Sequence, residues 1–185
     1  LAPTVLAGAG GEFQFVPHVF GIAHPTGYPL YILLGFAWSH LLPLGDVAYR
    51  MNLFSAFWAA LAVGLVYLTV LAQLRRAFPG QVLLATPGPS SQKTKKGVGG
   101  WTASAVAALA ALTFAVTPTL WSQAVIAEVY GLHIFLVALF IFLLLSWAER
   151  GESRWLLLAA FSFGLGLAHH STTLLLAPAA PAWVW

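Results

Sequence analysis

The side chains able to do chemistry in this sequence are few and gather in a handful of motifs. Glu12 lies in GGEFQF, His24 and Tyr28 in HPTGYPLY, Arg50 in GDVAYRMN, Gln123, Glu128 and Tyr130 in WSQAVIAEVY, and His169 and His170 in GLAHHSTT. Glu12 follows Gly10 and Gly11, and the sequence places it in a glycine-rich turn whose backbone freedom lets the carboxylate be aimed at a ligand rather than fixed by a helix. A carboxylate so placed can act as general base toward an acceptor hydroxyl or hold a divalent cation. The alternative is a solvated loop acid.

HPTGYPLY sets two prolines and a glycine around aromatic rings, which predicts an extended turn and a helix starting near Pro29. Tyr28 and Tyr31 suit either an interfacial aromatic belt or substrate contact. His24 fits only the second. Arg50 opens an apolar segment, where the helix dipole disfavours a cation. Asp46, four residues earlier, offers an N-cap and an ion pair. The other reading is that the guanidinium fork of Arg50 binds a lipid phosphate.

Glu128 stands beside an apolar run, where a lone carboxylate is costly, which points to a substrate- or partner-binding role with Gln123 and Tyr130 nearby. On a continuous helix Glu128 and His133 would point roughly 140° apart, whereas Tyr130 and His133 could share a face. His169 and His170, being adjacent, would diverge by about 100°. That makes them a poor chelating pair, so no histidine metal site is expected. One of them would line a cavity and the other meet headgroups or water. The absence of cysteine excludes disulfides and thiolate chemistry, and no Ser-His-Asp order, Walker loop or dinucleotide fingerprint is present.

What positions these residues must be a membrane-embedded helical bundle. Hydrophobic residues make up 60% of the chain and charged ones 7%, far from the roughly 25% charged residues of soluble domains. A net charge of +3 is too small to suggest nucleic-acid binding. The fold class expected is all-α, a polytopic transmembrane bundle. Spans are expected at 47–76, 101–118, 128–148 and 155–168, with a further one starting at 172–185; several of them approach the ~20 residues that cross a bilayer. The segment 28–44 is bounded by Pro29 and Pro43 and interrupted by Ser39 and His40, which leaves about 15 apolar residues, and reads as an interfacial helix.

Five of the eight Lys and Arg residues fall between Arg75 and Lys96, which makes 79–100 a cytoplasmic linker by the positive-inside rule. Its Pro, Gly and Ser content predicts flexibility. With 28–44 interfacial, Arg150 and Arg154 join the cytoplasmic face, and 1–27 becomes an outer loop. Glu12, His24, Glu128, His169 and His170 then all lie on the outward side. The chain opens on Leu1 and stops within an apolar run, so it is expected to be a fragment continuing beyond both ends.

GGEFQF, GIAHPTGYPLYILLG, LLPLGDVAYRMNLFSA, TPTLWSQAVIAEVYGLH and GLGLAHHSTTLLLAP together resemble the protein O-mannosyltransferase-like family of multi-pass membrane proteins, long labelled domain of unknown function 2723. The resemblance covers almost the whole chain. It implies a GT-C type glycosyltransferase core taking a sugar, with mannose one candidate, from a polyprenyl-phosphate donor to a protein or glycan acceptor on the non-cytoplasmic side. A prokaryotic plasma membrane is the expected location.

In that family the first loop reads Asp-x-Gly-Glu-Phe, and a first-loop acid is the usual catalytic base. Here Ala9 stands at the Asp position while Gly11, Glu12 and Phe13 match. Glu12 is therefore the expected catalytic group. The expected substrate-binding set is His24, Tyr28, Arg50, Gln123, Glu128, Tyr130, His169 and His170, and a divalent-metal requirement stays open. Ala9 also keeps alive a lipid-sugar binding or flipping protein without transfer chemistry. A secondary transporter, with intramembrane acids and histidines coupling protons, is the third reading.

Overall fold

The computed structural model describes residues 1, 5, 8–25, 27–78 and 100–178. Among them the secondary structure is all helical. Element α1 is Ala9–Phe15, α2 Pro29–Leu41, α3 Val47–Ala77, α4 Gly100–Ala115, α5 Pro118–Ala124, α6 Tyr130–Arg150 and α7 Ser153–His169, followed by a 3-10 turn at Ser171–Leu176. The expected linker 79–100 lies outside the described residues except for Gly100, which already belongs to α4.

Local chemistry explains most of the boundaries. Pro29 and Pro118 sit in the first turns of α2 and α5, where a missing N–H costs nothing. Asp46 caps α3, its carboxylate accepting from Tyr49 N at 2.7 Å. Gly151 ends α6 with φ 68°, the left-handed conformation that glycine adopts without strain.

Helices α3 and α6 are long and apolar enough to cross a membrane. The expected span at 101–118 is not one straight rod. Thr117, preceding Pro118, is extended, as residues before proline tend to be, and α4 resumes as α5 only after a 66° bend. The polar-aromatic stretch after Thr117 thus contributes a helix of its own. Helix α7 has 17 residues, about 25 Å at 1.5 Å per residue, so it is shorter than the two clear spans. The 13 residues of α2 match the short helix expected at 28–44.

The first loop departs from its expectation. Glu12 is not in a turn but on α1. Glycines 10 and 11 have poor helix propensity, and what compensates is tertiary packing, the usual source of helix stability in folded chains. Phe13 is buried among Tyr31, Met51 and Phe54, and the buried Gln14 amide donates to Asn52 Oδ1 at 3.0 Å.

Asn52 and Ser55, one turn apart on α3, also fasten the chain entering α6. Asn52 Oδ1 accepts from Ala127 N at 2.8 Å. Ser55 Oγ accepts from Glu128 N and donates to Glu128 O, both at 3.0 Å. Backbones approach closely here, as small residues in membrane helix pairs allow. A Cβ on Gly131 would stand 2.7 Å from the main-chain oxygen of Ser55, which cannot yield as a flexible side chain would. Gly131→Ala is therefore expected to cost about 1–3 kcal/mol, read as a lower thermal midpoint in detergent. An unchanged midpoint would mean α3 and α6 can part at no cost. On the other flank, Ala103 and Ala107 of α4 pack against Leu71, so its alanine-rich face serves close helix contact.

Candidate functional site

The acidic end of the site is an ion pair between α1 and the loop that follows. Glu12 Oε1 accepts from His24 N at 2.7 Å, and Glu12 Oε2 lies 2.8 Å from His24 Nδ1. With both oxygens engaged, the His24 ring and then its main-chain N–H hold the Glu12 carboxyl below the usual carboxylate range. The pair remains partly exposed, His24 at 44% and Glu12 at 30%, so the carboxylate is orientated yet reachable.

Removing the imidazole should reverse that shift. In His24→Ala the Glu12 pKa rises toward its ordinary value, so activity depending on ionised Glu12 loses its acid limb at a higher pH than in the parent chain. A pH–rate profile reads this directly. An acid limb that does not move would separate Glu12 from the reaction.

From His24 the site continues as a wall of rings. Phe13 lies 5.4 Å from both the His24 and Tyr28 rings, centroid to centroid. Tyr28 has φ 45°, a left-handed conformation that a non-glycine residue adopts at some cost, and it turns the chain into α2. Its ring stands 6.1 Å from His169 and 6.0 Å from His170. Both rings thus stand beside Tyr28, His169 buried and His170 half-buried. His169 ends α7, but His170 is extended, with φ −148° and ψ 127°, so the helical 100° separation no longer governs the second ring.

His169 is buried and meets Val129 O through Nε2 at 2.9 Å. His170 lies against Tyr130 at 5.8 Å and His133 at 4.7 Å. Tyr130 and His133 do share a face. Thr172 joins them, its Oγ1 lying 3.1 Å from His133 Nε2 and 2.8 Å from His170 Nδ1. Glu128 precedes α6 and so escapes the helical wheel drawn for it; its main chain is fixed by Ser55.

Two expected site residues stand apart. Arg50 turns its guanidinium to the main-chain oxygens of Ser39, Gly45 and Asp46. No side-chain ion pair with Asp46 is among its described contacts: the Ser39 oxygen belongs to the last turn of α2, where a cation is favoured, and the Gly45 and Asp46 oxygens to the turn into α3. That is the far end of α2 from Tyr28. There His18 and His40 stack at 4.4 Å, with burial and then the neighbouring His40 and Arg50 pushing the His18 pKa down. Gln123, on α5, has a buried carbonyl oxygen with no hydrogen-bond partner among the described residues, and nothing described ties it to the ring wall.

Sequence reasoning passed over His133, Thr172, Asn52 and Ser55 as site residues. The signal for Asn52 was available, because a polar side chain inside a span is functional by default. His133 also stands at the edge of an apolar groove of about 420 Å³, lined by Val66 and Val70 of α3, Phe114 of α4 and Val137 and Ile141 of α6. Among the described residues no three imidazole or carboxylate groups converge as a metal-binding set.

Comparison with known proteins gives a consistent assignment. Residues 10–185 match the family described as the protein O-mannosyl-transferase TMEM260 N-terminal domain. The chain is similar to the protein O-mannosyl-transferase tmem260 of Dictyostelium discoideum, with 27% identity over 190 residues covering 94% of this chain and 20% of the relative. It is also similar to the protein O-mannosyl-transferase TMEM260 of Mus musculus, with 30% identity over 179 residues covering 95% of this chain and 22% of the relative. The chain thus spans about a fifth of the length of these relatives. Both organisms are eukaryotes, so these relatives lend the expected prokaryotic plasma membrane no support. No solved structure matches the chain.

Proposed function

Because this chain belongs to the family of the protein O-mannosyl-transferase TMEM260 N-terminal domain, we propose that it forms part of a membrane glycosyltransferase that moves a sugar, most simply mannose, from a polyprenyl-phosphate carrier to an acceptor hydroxyl on the non-cytoplasmic side. The observation that carries this reading is the meeting of the Glu12–His24 pair with the Tyr28, His169 and His170 rings, next to an apolar groove that His133 borders. An amphiphile with a polar head and a hydrocarbon tail suits such a junction. The tail lies in the groove and the phosphate and sugar lie among the rings.

Glu12 takes the proton of the acceptor hydroxyl as its oxygen attacks the anomeric carbon and the bond to the carrier phosphate breaks. His24 fixes the carboxylate in the ionised form that a base requires. The departing phosphate is already a good leaving group, so the protein supplies position and hydrogen-bond donors more than covalent chemistry. His170 and Tyr130 serve the phosphate, and Glu128 the sugar or the acceptor, which is a protein or a glycan. Arg50 has no part in this scheme, its guanidinium being directed to α2.

A second reading, a lipid-sugar binding or flipping protein, draws on Ala9. That residue opens α1 one turn before Glu12, on the same helix face, so an Asp there would stand beside Glu12. The two readings separate when full-length protein receives a radiolabelled polyprenyl-phosphate mannose, with Ala9→Asp alongside. Consumption of donor by the parent chain supports transfer with Glu12 as sufficient base. Binding without consumption by either version overturns it.

A further inference from the structure

We propose that Thr172 is a positioning residue that locks His133 and His170 into complementary tautomers, so that His170 offers a neutral Nε2–H donor to the leaving phosphate. The inference rests on the transferase reading for the identity of the anion, but its geometric part stands by itself. The Thr172 hydroxyl lies 2.8 Å from His170 Nδ1 and 3.1 Å from His133 Nε2. A hydroxyl owns one proton and can donate to only one of two ring nitrogens, so the other must donate to it.

The main chain decides which. Thr172 N donates to His170 Nδ1 at 3.3 Å, and an amide always carries its proton, so Nδ1 of His170 presents a lone pair. Neutral His170 therefore carries its proton on Nε2. The hydroxyl donates to the same Nδ1 and accepts from His133 Nε2–H. His133 Nδ1 is then a bare lone pair, which agrees with its being buried without a partner among the described residues. The opposite tautomer would bury an N–H with no acceptor and would leave His170 Nδ1 only the longer amide contact, which costs more.

The other ionisable side chains described around His170 supply no competing anchor. Tyr28 precedes α2, Tyr130 comes from α6 and His169 from α7, and each meets His170 as a ring contact. A donor aimed in advance at the position where charge develops costs no reorganisation during the reaction. Thr172 acts through His170 and does not itself touch substrate.

The test compares Thr172→Val and Thr172→Ser in the full-length protein, with ¹⁵N-labelled histidine and signals assigned through His133→Gln and His170→Gln. The parent should show His133 protonated at Nε2 and His170 at Nε2. Thr172→Val keeps the main-chain N–H that sets the His170 tautomer, so it should mix the His133 tautomers, free the His170 ring from its 2.8 Å hydroxyl contact and lower kcat for polyprenyl-phosphate mannose about tenfold, the worth of one good hydrogen bond. Thr172→Ser should restore both readouts. Unmoved ring signals in Thr172→Val overturn the proposal whatever the rate does, as does a Ser variant that falls as far as Val. A parent protein that transfers no sugar defeats the transferase reading alone, because the ring signals still report on Thr172.

Discussion

Replacing Glu12 by glutamine is expected to lower sugar transfer by about two to four orders of magnitude, the usual worth of a positioned general base. The substitution is close to isosteric. The new side-chain amide keeps an oxygen for the His24 N–H, which Glu12 accepts at 2.7 Å, and α1 keeps the Phe13 and Gln14 contacts that hold it. What disappears is the ability to take a proton. Donor binding should therefore survive while turnover fails, the signature of an interaction made only in the transition state. A glutamine variant retaining a third of the parent rate would remove Glu12 from the mechanism. Loss of donor binding with turnover would recast the carboxylate as a ligand-holding group.

The largest effect on stability is expected at Asn52. In Asn52→Leu the Gln14 amide and the Ala127 N–H both lose the oxygen they now share. Both donors are buried, and taking the partner from a buried donor costs about 1–3 kcal/mol. A loss of about 3–4 kcal/mol follows, visible as a lower thermal midpoint in detergent. Activity should fall even where the bundle survives, since α1 carries Glu12 and Ala127 leads into Glu128. A loss below about 1 kcal/mol would show that the amide contributes no more than an ordinary exposed hydrogen bond.

What could be read from the sequence follows a physical pattern. Helices whose signal is hydrophobic and whose ends carry punctuation stood out: α2 behind Pro29, α3 behind Asp46 and α6 up to Gly151. Their limits fall within a few residues of the expectation. Elements held by tertiary contacts did not stand out. Helix α1 contains two glycines and exists because Phe13 and Gln14 are seated on α3. Helix α5 was hidden in a polar-aromatic stretch with no helical period.

The site was legible by residue type but not by partnership. Glu12, His24, Tyr28, Tyr130, His169 and His170 were picked as unusual side chains near a membrane surface, and the fold brings them together. Arg50 carries the same signature, and the fold turns it to main-chain oxygens between α2 and α3, because a charge at a helix terminus looks alike whether it meets a ligand or a carbonyl. The helical wheel pairs His133 with Tyr130 but separates it from Glu128, because it assumes that Glu128 belongs to the helix. Thr172 has no signature at all, since a threonine beside two histidines becomes informative only once the second ring leaves the helix.

The shared acceptor Asn52 Oδ1 also bears on how the site can open. By holding Gln14 of α1 and the main chain just before Glu128 on a single atom of α3, it makes the two carboxylates travel together as one stiff jaw. The histidine side is fastened to the same frame, because His169 Nε2 meets Val129 O at 2.9 Å and Thr172 Oγ1 lies 3.1 Å from His133 Nε2 of α6. Parting Glu12 from His170 would therefore have to break those contacts as well as bend the extended residue and short turn that follow α7.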